Sequence, residues 1–387
     1  MFRRDIQERP NWQALAERYG FGFHTMYGEP YWDESAYYQF NLHQIEHDLE
    51  APTEEIHQMC LSMVDKVVND ELLLKRFAIP DAMWDLVRQS WRRKEPSLYS
   101  RLDFAYSGTG PAKLYENNAD TPTSLFETAF WQWFWLEDTV KQGKVSRHAD
   151  QFNLLQDLLI ERLAQLSKLQ PGQTLHFSCC KDTEEDLATV EYLADCAKEA
   201  GIPTAFVFIE DIGVDDQHRF IDSHNRVIRW MFKLYPWEEM FVDEYHTFLD
   251  QSQVNWLEPM WKSVLSNKAL LPLLWQEFEG HPNLLPAYFR DDARAKTLTD
   301  FVVKPLFSRE GANIEIIRNG QSCYKTDGPY GDRPSIIQQY HPLPKFAGNH
   351  TLIGSWLVND KAAGISIRED STLITQDLAR YLPHVII

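Results

Sequence analysis

Long hydrophobic runs are missing from this chain of 387 residues. No apolar stretch approaches the roughly 20 residues needed to span a bilayer. The opening Met1-Phe-Arg-Arg-Asp-Ile-Gln-Glu-Arg9 has no apolar core of the kind a secretory leader carries. Cysteine is scarce as well. Cys60, Cys179, Cys180, Cys196 and Cys323 make an odd set of five, with no Cys-x-x-Cys pair. That excludes a secreted disulfide framework and a zinc knuckle, and it predicts free thiols in a reducing compartment. The expected location is the cytoplasm.

Positive charge is in deficit, with 38 Lys and Arg against 57 Asp and Glu and a formal net charge of −19. Nucleic acid is excluded as a partner, because neutralising phosphates needs clustered Lys and Arg. An anionic membrane surface is disfavoured for the same reason. A cationic small molecule, such as an amine, is not repelled. Several catalytic signatures are absent too. There is no Gly-x-x-x-x-Gly-Lys-Ser/Thr, no His-Glu-x-x-His and no Gly-x-Ser-x-Gly. Gly108-Thr-Gly110 lacks the rest of a dinucleotide fingerprint. P-loop, zinc peptidase and serine hydrolase chemistry receive no support.

What is present fits a globular protein of two or three domains, with 44% hydrophobic and 25% charged residues. The thirteen tryptophans are scattered and read as core. The first hundred residues read as helical. Ile56, Met59, Cys60, Met63, Val64 and Val67 form one apolar stripe, and residues 82–92 repeat the pattern. A hairpin follows, with strand 101–106 meeting strand 113–118 across 107–110. Residues 124–141 form an aromatic helix, and 145–152 a connector. Helix 152–167, strand 174–179, helix 184–200 and strand 205–209 contain a βαβ unit, which implies a parallel sheet. Strand 227–234 joins it. From residue 301 the texture becomes an antiparallel meander, with hairpin turns at Asn319-Gly320 and Asn359-Asp360. The class is α/β. The expected units are 1–150, 151–245 and 246–387.

Two segments carry the chemistry. In the hairpin, period-two alternation puts Arg101 and Asp103 on one face and Glu116 and Asn118 on one face. If those faces coincide, two carboxylates, an amide oxygen and a guanidinium converge. That is a hard-oxygen site for Mg²⁺ with an arginine placed for phosphate. The second segment is Val303-Lys304-Pro305 followed by the loop Ser308-Arg-Glu-Gly-Ala-Asn313. Its backbone N–H groups can cover nucleotide phosphates, and Lys304 adds a point charge. Taken alone, Lys304 reads first as a solvated strand lysine, and Arg101, Asp103 and Glu116 as a surface ion-pair set; it is their joint occurrence that shifts the reading. Together the two segments suggest an enzyme that consumes ATP.

Here the chain resembles the glutathionylspermidine synthetase family, over its C-terminal ATP-grasp synthetase module. The carrying segments are Tyr99-Ser-Arg-Leu-Asp-Phe104, Tyr115-Glu-Asn-Asn-Ala-Asp120, Leu257-Glu-Pro259, Ser266-Asn-Lys-Ala269, Val303-Lys-Pro305 and residues 308–313. Gln338-Gln339, Leu343-Pro-Lys345 and Arg368-Glu-Asp370 complete the order. The family's additional amidase domain has no counterpart here, so amidase activity is not implied. The resemblance implies an ATP-grasp fold with a βαβ pre-ATP-grasp domain. It implies ATP- and Mg²⁺-dependent joining of a small carboxylic acid, peptide- or glutathione-like, to a polyamine-like amine.

By motif, Asp103, Glu116 and Asn118 resemble the magnesium ligands. Arg101 and Arg368 are implied at the transferring phosphoryl group, and Lys268 and Lys304 at the ATP phosphates. The loop at Glu310 and Gly311 would close over them. Gln338, Gln339, Tyr340 and His341 resemble the strand that borders adenine, and Leu373, Ile374 and Thr375 a further nucleotide contact. On the substrate side, Thr121 and Thr123 stand where the family has a serine pair. Lys233 to Glu239 matches a family segment with Leu234 and Glu239 in place of threonines. These departures leave the acid and the amine unnamed. Glu184 and Glu185 resemble the family's paired glutamates at the polyamine, with Glu238 behind them. The alternative for Glu185 is structural, since Asp182 and Glu185 are spaced as a helix N-cap and its N3 acid. Two other functions stay open at this point: a phosphotransferase or ligase with a non-amine acceptor, and a non-catalytic nucleotide binder.

Overall fold

The computed structural model describes every residue except Asp182, Asp332 and Leu378. Three sheets organise it. The largest has six strands and is antiparallel. It runs Lys113–Asn118, Tyr99–Ala105, Asn349–Val358, Lys361–Asp370 and Arg380–Leu382, with Lys345–Phe346 paired to Asn349–Val358 at one end. The hairpin of the first third is thus hydrogen-bonded into the last third, with Asp103 opposite Gly354 and Arg101 opposite Trp356. Helix Ala51–Val68 packs on this sheet, and the Thr53 and Ser355 hydroxyls meet at 2.7 Å. Its stripe of Ile56, Cys60, Met63, Val64 and Val67 is buried. That burial is the driving force expected of an amphipathic helix.

A second, five-stranded antiparallel sheet runs Ala287–Phe289, Ser335–Gln339, Phe301–Pro305, Glu315–Arg318, Gln321–Lys325. The Asn319-Gly320 and Asn359-Asp360 turns both take positive φ at both positions, the backbone twist that tight hairpins favour. The third sheet is parallel and four-stranded, ordered Asn255–Leu257, Trp230–Leu234, Leu175–Cys179, Thr204–Phe206. Helices Leu155–Ser167 and Glu184–Glu199 cover it through Leu159, Leu163, Val190, Leu193 and Ala197. The mixed α/β class and the βαβ unit are as the sequence predicts. Strand Asn255–Leu257 reaches this sheet from beyond residue 245.

The first hundred residues are not all helical. Strand Phe2–Asp5 pairs with Ala36–Phe40, which lies parallel to His384–Ile386 at the other end of the chain. Period-two burial in Ala36–Phe40 is the strand signal that the helical reading passed over. The aromatic helix begins as a π-helical stretch, Phe126–Trp131, before Gln132–Lys141. Among the described residues no helix is long and apolar enough to cross a membrane. Cys60, Cys179, Cys196 and Cys323 carry free thiols.

Candidate functional site

A cavity of about 420 Å³ lies between the two antiparallel sheets and opens toward the C-terminal ends of the parallel strands. Those ends supply Cys180, Leu234, Tyr235 and Pro236 to its wall, the position where open α/β sheets place ligands.

The hairpin builds one end. Register puts Arg101 opposite Asn118 and Asp103 opposite Glu116, so the four side chains share a face. Arg101 donates from Nε to Asp103 Oδ1 at 2.7 Å and from Nη2 to Oδ2 at 3.2 Å. Arg368, from the neighbouring strand Lys361–Asp370, donates to Asp103 Oδ2 at 3.0 Å. Gly354 makes room for this crowding: a Cβ there would lie 2.7 Å from Arg101 Cδ and 2.6 Å from Ser366 Oγ. Lys268 Nζ reaches Glu116 at 3.1 Å and donates to the Ser308 carbonyl at 2.5 Å. Lys304 is 7% exposed, so it is not a solvated strand lysine, and it donates to the Tyr115 carbonyl at 3.0 Å. Four cations thus surround two carboxylates, an excess of positive charge suited to phosphate.

Electrostatics follow from that arrangement. Burial alone would raise the Glu116 carboxyl, but Lys268 and Lys304 outweigh it and hold it at about 2. Burial pushes Lys304 down to about 8, with Glu116 opposing and Lys268 adding to the shift. Burial works against the charge of Arg101 as well, and Asp103 more than compensates, leaving it a permanent cation.

The donor chemistry fits Mg²⁺, with two carboxylates and an amide on one face. Among the described residues no three of His, Cys, Asp and Glu cluster for a metal; the third donor here is the Asn118 amide. Its Nδ2 faces Asp103 at 3.2 Å, and amide nitrogen and oxygen exchange by a simple flip.

Part of the cavity lining is apolar. Ile314, Ile316 and Ile374 cluster there with Val302 and Tyr340, and Leu343 and Leu352 add a second apolar patch. Gln338, Gln339, Tyr340 and His341 line one edge, and Leu373, Ile374 and Thr375 another. Gln338 is held by the Leu114 carbonyl at 3.1 Å, and the Tyr115 hydroxyl donates to the His341 carbonyl. The loop after Lys304 closes on Ile374 and Thr375. Gly311 has φ +69°, and a Cβ on it would stand 2.6 Å from Ile374 Cγ2 and 2.7 Å from the Thr375 carbonyl. Only glycine fits that approach.

On the third side Thr121, Thr123, Glu238 and Glu310 line the cavity. Glu184 and Glu185 do not. Glu184 is exposed, while Glu185 turns inward and accepts a hydrogen bond from Ser124 Oγ at 3.1 Å. The helix N-cap is Thr183; Asp182, the expected cap, lies outside the described residues. The residues of that helix start that do reach the cavity are Thr183 and Asp186.

Sequence reasoning assigned no role to Arg309, Asp186 or Glu127. Arg309 donates to Thr121 Oγ1 and to Glu238 Oε1, both at 2.8 Å. Its signal was its place beside Glu310 and Gly311. Glu127 is 1% exposed in the core behind Ser124, and no local pattern marks it.

The family model for the glutathionylspermidine synthase preATP-grasp matches residues 3–387. A Haemophilus influenzae protein, provisionally named an acid–amine ligase, is 37% identical over 98% of both chains. The Escherichia coli bifunctional glutathionylspermidine synthetase/amidase is 28% identical over 88% of this chain and 58% of its own length. Trypanothione synthetase of Crithidia fasciculata is 27% identical over 83% and 52%. This chain therefore spans little more than half of those two relatives. The structure of a glutathione synthetase-like effector from Globodera pallida shares the fold, with TM-score 0.58, 12% identity and coverage of 90% and 89%. The chain belongs to the glutathionylspermidine synthase preATP-grasp family.

Proposed function

We propose that this carbon–nitrogen ligase joins a small carboxylic acid to an amine at the expense of ATP, with Mg²⁺ on Asp103, Glu116 and Asn118. The observation that carries the reading is the convergence of Arg101, Arg368, Lys268 and Lys304 around Asp103 and Glu116 in a cavity that also has an apolar lining. Adenine packs against Val302, Ile316 and Ile374. The phosphates run toward Lys268 and Lys304 beneath the Glu310-Gly311 loop. Held by Asp103, Glu116 and Asn118, the ion would supply charge neutralisation at the phosphoryl oxygens. In this reading residues 1–150 and 246–387 assemble an ATP-grasp site, and 151–245 contributes the pre-ATP-grasp substrate wall.

The chemistry follows from charge placement. The acid's carboxylate takes the γ-phosphoryl group, giving an acyl-phosphate and ADP. Arg101 and Arg368 flank that transfer and stay charged throughout it. The amine lone pair then attacks the acyl carbon. The C–O bond to phosphate breaks, and the nitrogen's surplus proton leaves with the phosphate. Thr121, Thr123 and Arg309 sit where the acid enters. A glutathione-like acid and a polyamine-like amine are the substrate classes that the family relatives' names support.

The test is ADP release from Mg·ATP with glutathione as the acid, with and without hydroxylamine. Acid-dependent ADP and a trapped hydroxamate are expected. ADP release that ignores the acid, with no hydroxamate, overturns the acyl-phosphate reading.

A further inference from the structure

Thr123 lines the cavity, and Ser124 lies buried behind it with an unusual backbone. Ser124 is 0% exposed and takes φ +75°, in the left-handed region that residues other than glycine seldom adopt. Its hydrogen bonds hold it there. The Ser124 N–H donates to Thr189 Oγ1 at 3.3 Å, and the Ser124 carbonyl accepts from the Thr128 hydroxyl at 2.7 Å. The Ser124 hydroxyl donates to Glu185 Oε1 at 3.1 Å. A strained residue pinned from several directions marks a place where position matters.

Arg101 and Arg368 both lead back to this residue. Arg101 Nη1 donates to the Thr123 carbonyl at 3.3 Å. Rotation about φ of Ser124 turns the rigid peptide plane before it, and so aims that carbonyl. Arg368 stands directly across a strand pair from Tyr381, with its guanidinium 6.0 Å from the ring centroid. The Tyr381 hydroxyl meets Ser124 Oγ at 2.5 Å. A serine hydroxyl has a single proton. With that proton on Glu185, the Tyr381 hydroxyl is the donor in the second bond. Both arginines act on the Tyr381 hydroxyl electrostatically, and both grip the same Asp103 carboxylate. Ser124 thus reaches Arg101 through its backbone and Arg368 through its hydroxyl, each at one remove.

We propose that Ser124 is a positioning residue that sets the spacing of Arg101 and Arg368 across the transferring phosphoryl group. The proposal rests on the ligase reading for what is transferred. Ser124 itself touches neither nucleotide nor acid. Without its hydroxyl, Tyr381 loses its anchor, and the two guanidinium groups shift relative to one another on Asp103. Both charges stay in the cavity, and Lys268 and Lys304 are untouched, so ATP still binds. The transfer slows, because small displacements of groups at a reacting centre cost rate more than affinity.

The experiment is steady-state ADP release from Mg·ATP by the full chain, with glutathione as the acid and without it. Ser124→Ala, Tyr381→Phe and the double variant are compared with wild type. Thr139→Ala is the control. It also removes a buried hydroxyl, one that donates to the Trp135 carbonyl at 2.9 Å within its own helix. Each single variant should lower kcat about tenfold and leave the KM for ATP within about twofold of wild type. The double variant should lose no more than about tenfold, because both changes cut one connection. Thr139→Ala should keep the wild-type kcat. Tyr381→Phe retains the ring beside Arg368 and loses only the hydroxyl, so it decides the question where Ser124→Ala does not fold. Wild-type kcat in folded Tyr381→Phe overturns the proposal, whatever its thermal midpoint. So do losses that multiply in the double variant, a KM for ATP that rises as far as kcat falls, or no ADP release by wild type. Turnover that ignores the acid, with kcat lowered at constant KM in the variants, supports the role of Ser124 and overturns the ligase reading alone.

Discussion

Arg309 donates a hydrogen bond to the Thr121 hydroxyl at 2.8 Å across 188 positions of sequence. The bond ties the loop of residues 308–313 to the segment that follows the hairpin of Tyr99–Ala105 and Lys113–Asn118, and the second arm of Arg309 reaches Glu238. One side chain thus joins the loop of residues 308–313 to two other segments of the cavity wall. Arg309→Lys should loosen that link, because a single ammonium cannot span both partners. The expected result is a KM for the acid raised about tenfold, with a smaller change in ATP affinity. Equal losses for acid and ATP would show that Arg309 has no selective role toward the acid.

Lys304 is buried between Glu116 and the Tyr115 carbonyl. Lys304→Met keeps the length and apolar stem while removing the charge, so the fold should persist. ATP-dependent turnover should fall about 10- to 100-fold, the scale of one charge-assisted phosphate contact. Circular dichroism and ADP release on the same sample check both halves. Wild-type turnover in the folded variant would remove Lys304 from the phosphate site.

Strand Tyr99–Ala105 is hydrogen-bonded to Asn349–Val358. A fragment of residues 246–387 therefore lacks both Asp103 and Glu116 and leaves a central strand edge open. It should bind Mg·ATP far more weakly than the full chain, measured by calorimetry or fluorescent nucleotide. Full affinity in the fragment would place the nucleotide site away from the hairpin.

Glu127 makes a pH prediction with a definite sign. Burial, then the nearby Glu185, pushes its carboxyl up to about 8 from an ordinary 4.5. Between those values the folded protein holds a proton that the unfolded chain releases, so this residue lowers stability as pH rises from about 4.5 to about 8. Glu127→Gln removes that titration. Its thermal midpoint should exceed wild type by more at pH 8 than at pH 5. A midpoint difference that does not vary with pH would show that Glu127 is ionised throughout.

The hairpin was legible in the sequence because its signals are local. Strand alternation has a period of two, and that alone put Arg101 with Asp103 and Glu116 with Asn118. Their convergence needed only the register that the structure shows. The βαβ unit and the Asn319-Gly320 hairpin were legible for the same reason. Strand Ala36–Phe40 was not, since its partners come from residues 2–5 and 384–386. Which acid at the helix start faces the cavity was hidden as well. Successive helical residues turn by about 100°, so a cap at Thr183 puts Asp186 on the wall and leaves Glu184 in solvent. The sequence determined the chemistry available to the site: acids, lysines and a glycine loop of the right kinds. Only the tertiary structure decided which acids have cations. Ion pairing and burial depend on neighbours brought in from far along the chain, as Arg368 is to Asp103 across 265 positions, and no local period encodes them.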